Sequence, residues 1–382
     1  MANKKPSLYS NDLSEDFDIK DPFFTSQLIT YIGNKRRLLP FLNEGFSWVK
    51  DRLGGKKLVI LEGFSGSGAA ARLLKYYAKT LYVNDLENYC QTLNKCFLAN
   101  RSEVDLNEVA RYIDLLNKRK LDGNKAGFIE INYAPKNDQM IRPGERAFYT
   151  NRNAKIIDNI RRLIDDKVPE KYRQFCLGPL LVEASIHTNT SGVFKGFHKK
   201  SGIGHFGGKD ENALNRIKKD IVLEPPKLSA CECKIMIYKK DINKLVRNKT
   251  LPAFDLVYYD PPYNQHPYGS NYFMLNLIND YDEAEIQQGT SGITKEWNRS
   301  MYNKRKMSES AMDDLISGTN SKYILISYND EGIIPADRLR KILAIHGKCK
   351  LMAQNYNAFR GSRNLRNRKI RVKELLWVLE KK

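Results

Sequence analysis

The segment Asp260-Pro261-Pro262-Tyr263 carries groups suited to one demanding reaction, transfer of a substituent to an exocyclic aromatic amine. The lone pair of such a nitrogen, adenine N6 for example, is delocalised into its ring, which makes it a poor nucleophile. Two hydrogen-bond acceptors placed at its two N–H hydrogens favour a tetrahedral nitrogen and free the lone pair. The Asp260 carboxylate and the Pro261 carbonyl can supply both. Pro261 and Pro262 lock φ, so the carbonyls point where the chain dictates. Tyr263 can stack on the face of a base. A base inside a duplex must first be flipped out, and an aromatic at the lip of the pocket receives it. No strong general base is required at the start, because the nitrogen loses its proton during or after transfer. The plainer reading is a strand end with a rigid turn, since Asp before Pro opens many turns.

A second constellation is the turn Glu62-Gly63-Phe64-Ser65-Gly66-Ser67-Gly68. Its glycines let backbone approach a ligand with no side chain in the way. The helix expected after it offers unpaired N–H groups to a negative group. The G-x-x-G-x-G spacing is shorter than the dinucleotide fingerprint. Asp85, at the end of the next apolar run, is placed to accept hydrogen bonds from both hydroxyls of a ribose. The pair favours a nucleoside ligand over a pyrophosphate.

These residues need a scaffold. Lys57–Leu61 is a short apolar run that reads as a strand buried on both faces. It leads into the glycine turn, a helical stretch Ala69–Tyr77, and a strand Thr80–Asn84 that ends at Asp85. The unit is strand, glycine turn, helix, strand, acid. Asn88 to about Leu121 has helical spacing throughout, as do Asn153–Ile164 and Tyr172–Thr188, whereas Gly123–Pro143 is turn-rich. Ser191–Asp210 reads as a long loop or hairpin. Strands resume at Lys234–Tyr238, Phe254–Tyr259 and Tyr323–Ser327, with Lys350–Gln354 and Glu374–Leu379 as the last. Alternation of this kind implies an α/β fold with a mostly parallel sheet covered on both faces.

Together the two segments resemble the D12 class of DNA adenine-N6 methyltransferases, with the motif order of Dam-type enzymes. Glu62–Gly68 is similar to that class's cofactor motif, with Glu62 in place of the commoner Asp. Tyr31-Ile32-Gly33-Asn34-Lys35 resembles the aromatic-x-Gly-x-Lys motif before it, and Asp260–Tyr263 matches the catalytic D-P-P-Y. Asn264–Tyr272, with Tyr268, Asn271 and Tyr272, also looks like this class. The resemblance implies a Rossmann-like class I methyltransferase fold and S-adenosylmethionine as cofactor. It implies that Tyr31 and Lys35 contact the cofactor, and that Phe64 and the backbone of Gly66 and Gly68 line its pocket. By the same resemblance Asp85 binds its ribose, Asp241 holds its adenine amine, and Asp260 orients both cofactor and target. The polar composition of the N-terminus reads as a loose tail over residues 1–22, and the resemblance implies a catalytic domain over 23–100 and 231–382 with an inserted, largely helical and loop target-recognition domain over 101–230. Such enzymes commonly protect a host genome from a cognate restriction endonuclease. The competing readings are a ribosomal-RNA adenine or guanine amine methyltransferase and a silent DNA-binding module. Tyr31–Lys35 and the large insertion favour DNA over RNA, and intact Asp260 and Tyr263 argue for an enzyme. An N4-cytosine enzyme would more often carry Ser at position 260.

Charge agrees with a polyanionic partner. Among 382 residues, Lys plus Arg is 64 and Asp plus Glu is 44, a net +20. Three basic stretches could follow phosphates. Lys195, His198, Lys199, Lys200 and Lys209 alternate with Phe194, Phe197 and Phe206, and that aromatic content favours DNA contact. Arg360, Arg363 and their neighbours up to Lys373 form a second stretch, and Lys35-Arg36-Arg37 a third. The six cysteines contain no C-x-x-C pair and the five histidines are scattered, so neither a metal site nor a disulfide framework is expected. No apolar run approaches a membrane span and the first 20 residues lack a signal-peptide core. A cytoplasmic monomer or weak dimer acting on double-stranded DNA of a bacterial or archaeal nucleoid is expected.

Overall fold

A computed structural model describes residues 18–357 and 371–382, apart from 124 and 283. Seven strands form one sheet: β1 Leu58–Glu62, β2 Ala78–Asp85, β3 Lys234–Lys239, β4 Phe254–Tyr259, β5 Ser321–Asn329, β6 Gly347–Asn357 and β7 Arg371–Lys381. Their spatial order is β3-β2-β1-β4-β5-β7-β6. The pairs from β3 through β5 are parallel, and β7 runs antiparallel to both β5 and β6. The mostly parallel α/β sheet expected from the sequence is what the chain forms.

Period-two alternation buries both sheet faces. Leu58, Ile60, Leu256 and Tyr258 pack on one side with the helices Leu39–Arg52 and Ala69–Tyr77. Leu61, Val257 and Tyr259 pack on the other with Ser308–Gly318 and Ala336–His346. A third core lies in a helical lobe, where the helices Asn151–Lys167 and Glu170–Ile186 pack with Asn88–Phe97. That core also takes in Tyr272–Ile278, from beyond the Asp-Pro-Pro-Tyr segment.

The expected single helix from Asn88 to Leu121 is in fact two, Asn88–Phe97 and Leu106–Arg119. Asp105 caps the second by accepting from the N–H groups of Asn107 (3.0 Å) and Glu108 (3.1 Å), which starts a new helix where apolar spacing alone reads as continuous. The expected loop or hairpin over 191–210 contains a two-stranded hairpin, Lys199–Lys200 against Ile203–Gly204. No helix among the described residues is long and apolar enough to cross a membrane.

Candidate active site

In a parallel sheet the crevice for a ligand opens beyond the carboxyl ends of strands at the point where strand order reverses. Here that point lies between β1 and β4, which are paired neighbours. The glycine turn leaves β1 and the Asp260–Tyr263 segment leaves β4, so topology alone brings the two motifs to one place. They line a cleft of about 880 Å³ together with Tyr31, Lys35, Asp85 and Asp241.

The turn is built around close approaches. A Cβ on Gly63 would lie 2.5 Å from the Tyr259 ring, and one on Gly66 would lie 2.8 Å from the Tyr31 ring, with Gly66 at φ +51°. Gly68, at φ +78°, caps the helix Ala69–Tyr77 against Asn94 and does not line the cleft. Its expected place on the cofactor wall is taken by Ser65, Gly66 and Ser67. Asp85 fixes the turn, with its Oδ2 accepting from the Gly66 N–H at 2.7 Å and its Oδ1 from the Glu87 N–H at 3.0 Å. Burial pushes the Asp85 carboxyl up, opposed by hydrogen bonds from the Glu87 and Gly66 N–H groups, the Cys90 side chain and the Leu86 N–H. Phe64 lies edge-on to Tyr259 and Tyr302. Asp241 caps the short helix Ile242–Leu245 by accepting from the Lys244 N–H at 3.1 Å.

The N-terminal motif closes over this turn. Tyr31 forms a three-ring cluster with Tyr268 and Tyr272, with ring centroids 4.9 Å (Tyr31–Tyr268), 4.7 Å (Tyr31–Tyr272) and 5.9 Å (Tyr268–Tyr272) apart. The same two tyrosines clamp the next residue, Tyr272 Oη accepting from the Ile32 N–H at 2.7 Å and Tyr268 Oη donating to the Ile32 carbonyl at 2.8 Å. Lys35, expected both as a cofactor contact and as part of a phosphate-binding run, points inward. It is 3% exposed and its ammonium lies 2.9 Å from Asp260 Oδ1 and 3.2 Å from Glu374 Oε1. Arg36 is likewise occupied, donating to the Thr25 carbonyl and Gln27. The basic run is therefore no single phosphate-facing patch.

Pro261 is buried, Pro262 lines the cleft, and Tyr263 is half-buried. Tyr263 packs edge-on against Tyr328 and under the Lys35 ammonium, with its hydroxyl close to Gly33. It does not line the cleft wall, where its ring was expected to meet a base.

Carboxylates dominate the cleft: Glu62, Asp85, Glu87, Asp241 and Asp260, against Lys35 and Lys240. A chain of net +20 has gathered negative charge here. Burial, with the charges of Asp260 and Asp85 behind it, pushes the Glu62 carboxyl well up. Glu62 Oε2 is buried with no hydrogen-bond partner among the described residues. Burial pushes Asp260 up to about 6, with Lys35 opposing and Glu374 reinforcing the rise. Such a cleft suits a cationic ligand that carries hydroxyl and amine donors, and it would repel a pyrophosphate.

Glu87, Glu374, Asn298 and Tyr302 are site residues that sequence reasoning did not single out. Glu87 Oε2 accepts from the side-chain amides of Asn276 (2.6 Å) and Asn298 (3.1 Å). Burial pushes its carboxyl up to about 7 against the Asn276 hydrogen bond, with the charge of Asp85 adding to the rise. A raised folded value means stability that is full below the unfolded value and is lost as pH rises through about 7. Glu87→Gln is expected to raise Tm by roughly 2–4 °C at pH 8 and to change it little at pH 5. Thermal melts at the two pH values check this, and a lower Tm at pH 8 would contradict it.

Of the expected DNA contacts, Lys199 and Lys200 are exposed on the hairpin, while Lys195 and His198 are half-buried. The aromatics among them do not face outward. Phe194, Phe197 and Phe206 belong to the core of the helical lobe, with Phe197 edge-on to Phe148. They anchor the loop, so their presence is no argument for base contact. The loop is also tied to the catalytic segment, the Phe194 N–H donating to the Asn271 carbonyl at 2.8 Å. Arg360 and Arg363 lie outside the described residues.

Residues 31–342 match the sequence profile of the family described as D12 class N6 adenine-specific DNA methyltransferase. The chain is 28% identical over 361 residues to the type II methyltransferase M.NlaIII of Neisseria lactamica, covering 92% of this chain and 99% of that one. It is 27% identical to the modification methylase StsI of Streptococcus sanguinis, over 92% of this chain and 52% of that longer protein. It is also 27% identical to the type II methyltransferase M.CviAII of Paramecium bursaria Chlorella virus 1, over 87% of this chain and 93% of that one.

Proposed function

Because the chain belongs to the D12 class of N6 adenine-specific DNA methyltransferases, we propose that it uses S-adenosylmethionine to methylate the N6 amine of an adenine flipped out of a specific duplex site. The observation that carries the reading is the cleft itself, where the glycine turn of β1 and Asp260–Pro262 of β4 meet among carboxylates, with Glu62 Oε2 buried and without a hydrogen-bond partner among the described residues. When bound, S-adenosylmethionine supplies a methyl group activated on a sulfonium sulfur. Asp85 holds the ribose hydroxyls, and Glu62 and Asp241 take amine donors. Tyr31 and Phe64 cover apolar faces, and the Gly66 backbone leaves room for close approach.

On the target side, the Asp260 carboxylate and the Pro261 carbonyl accept the two N6 hydrogens and localise the lone pair on nitrogen. Pro262 keeps that carbonyl aimed, and Tyr263 receives the face of the flipped base once the Gly33 loop gives way. The nitrogen attacks the methyl carbon, the C–S bond breaks as the C–N bond forms, and the resulting ammonium releases one proton. The names of the similar proteins, type II methyltransferases and a modification methylase, support a role in protecting host DNA from a cognate restriction endonuclease. The helical lobe over 101–230 reads the site.

The test is direct. The protein is incubated with S-adenosylmethionine and mixed-sequence duplex DNA or ribosomal RNA, and the products are digested to nucleosides. N6-methyl-2′-deoxyadenosine is expected. Its absence, or methylation of RNA alone, would overturn the reading. For the hairpin, Lys199→Ala with Lys200→Ala should weaken binding to all duplex sequences roughly tenfold near 0.1 M salt and flatten the log–log salt slope by about 2. A slope equal to that of the unaltered protein would remove both lysines from the phosphate path.

A further inference from the structure

The Lys35 ammonium donates to the Gly33 carbonyl at 3.3 Å and forms ion pairs with Asp260 Oδ1 at 2.9 Å and Glu374 Oε1 at 3.2 Å. Glu374 reaches this point because β7 is antiparallel. The start of its apolar run pairs with Asn329 at the carboxyl end of β5, on the same sheet edge as the cleft. Its side chain is 3% exposed, and Ser327 Oγ donates to Oε1 at 2.7 Å. Charge balance makes the arrangement unusual. Asp260 alone would neutralise Lys35, so Glu374 adds a surplus buried carboxylate. A buried charge without its own counter-ion costs stability, and such a cost is expected where function requires it.

We propose that Glu374 is a positioning residue for methyl transfer: by sharing Lys35 with Asp260 it leaves Asp260 open as an acceptor for the amine and gives the site a net negative charge. This rests on the reading of Asp260 as the acceptor for N6. Were Lys35 paired with Asp260 alone, the ammonium would bind that carboxylate tightly and weaken it as an acceptor. Divided between two carboxylates, it holds Asp260 in place while opposing it less. As the C–N bond forms and the C–S bond breaks, positive charge passes to N6, and the carboxylate–ammonium–carboxylate group carries the opposite sign. The proton then leaves the nitrogen toward Asp260 or solvent. Other groups acting on Asp260 are Glu62, which is held toward its neutral form by burial, and the hydroxyls of Tyr258 and Tyr268, which are also uncharged at neutral pH; Tyr263 adjoins Lys35. Lys35 and Glu374 therefore dominate the local field.

Single-turnover methylation of a duplex substrate is measured from pH 5 to 9 at saturating S-adenosylmethionine and DNA. For Glu374→Gln the plateau rate should fall about tenfold with KM for DNA nearly unchanged. The acid limb should move down by about 1 pH unit, because a like charge has left Asp260. Lys35→Met should move the limb the opposite way, and Glu374→Asp should recover part of the plateau. If Glu374→Gln fails to melt cooperatively, Lys35→Met is compared with Lys35→Met/Glu374→Leu, in which the buried charges leave together. The double variant should then have the lower limb. Superimposable profiles for Glu374→Gln and the unaltered protein, or for the single and double Lys35 variants, would overturn the inference. If the unaltered protein forms no N6-methyladenine, it is the functional reading that fails.

Discussion

Asp260→Ala should lower methyl transfer by about 10³-fold or more and leave a folded protein that binds DNA. The loss is large because the variant keeps only the Pro261 carbonyl to accept from the amine, and a single acceptor does not force the nitrogen out of conjugation. The fold should survive because Lys35 keeps two of its three partners, the Glu374 carboxylate at 3.2 Å and the Gly33 carbonyl at 3.3 Å. Removing Asp260 also leaves one buried cation facing one buried anion. Burial raises Asp260 from an ordinary 3.8 to about 6. A carboxylate raised in this way contributes stability below its unfolded value and loses it as pH rises through about 6. The Ala variant should therefore melt at or above the temperature of the unaltered protein at pH 8. Removing a negative charge gives a DNA phosphate no new repulsion, so duplex affinity should hold. Asp260→Asn should fall between the Ala variant and the unaltered protein, because its amide oxygen still accepts one N6 hydrogen but carries no negative charge to oppose the positive charge developing on the nitrogen. Turnover, gel shift and melting together decide the matter. Normal turnover would take Asp260 out of the chemistry, and loss of the melting transition would make the defect one of folding.

The parts of this site that could be read in the sequence are those whose physics is local. Apolar runs mark strands, and all seven runs became strands of the sheet, the central ones buried on both faces and the edge strand β3 with no fully buried residue. The glycine turn and Asp260–Tyr263 were legible because backbone geometry there depends on adjacent residues. What escaped depends on distant partners. Glu374 reads as the polar first residue of a strand, and nothing near it reveals Lys35. Lys35 itself sits in a basic run that looks solvated, because sequence cannot distinguish a cation facing water from one facing two carboxylates. The same blindness misled the reading of the loop over 191–210. Phe194, Phe197 and Phe206 alternate with basic residues as a DNA-entering loop would, yet they are anchors in the core of the helical lobe. A glycine-rich loop needs such anchors to hold any shape, so its aromatics report on packing before they report on ligands. The break at Asp105 was local and available, since Asp followed two residues on by an apolar-spaced segment is a helix start.

Gly66→Val should weaken S-adenosylmethionine binding by about 100-fold while leaving duplex affinity within a few-fold. At φ +51° a β-branched residue is strained by roughly 1–3 kcal/mol. Its Cβ would also lie 2.8 Å from Tyr31 Cε1. Tyr31 has little room to yield, packed in a cluster with Tyr268 and Tyr272 and hydrogen-bonded at its hydroxyl by Tyr89. The turn must move instead, and the Gly66 N–H is the group that holds Asp85 Oδ2 at 2.7 Å. One substitution therefore disturbs two proposed contacts, the ring above the cofactor and the acid at its ribose. Losing about 3 kcal/mol between them corresponds to the stated hundredfold. Strain alone would not do this. Gly54 has φ +81° with nothing within 4 Å of an added Cβ, so Gly54→Val should cost stability and leave cofactor binding intact. Calorimetric titration of both variants separates the two effects. Equal cofactor affinity for Gly66→Val and the unaltered protein would mean that the β1 turn is not the wall of the cofactor site. Equal loss in both variants would mean that the cleft responds to global destabilisation and not to the position of Tyr31 and Asp85.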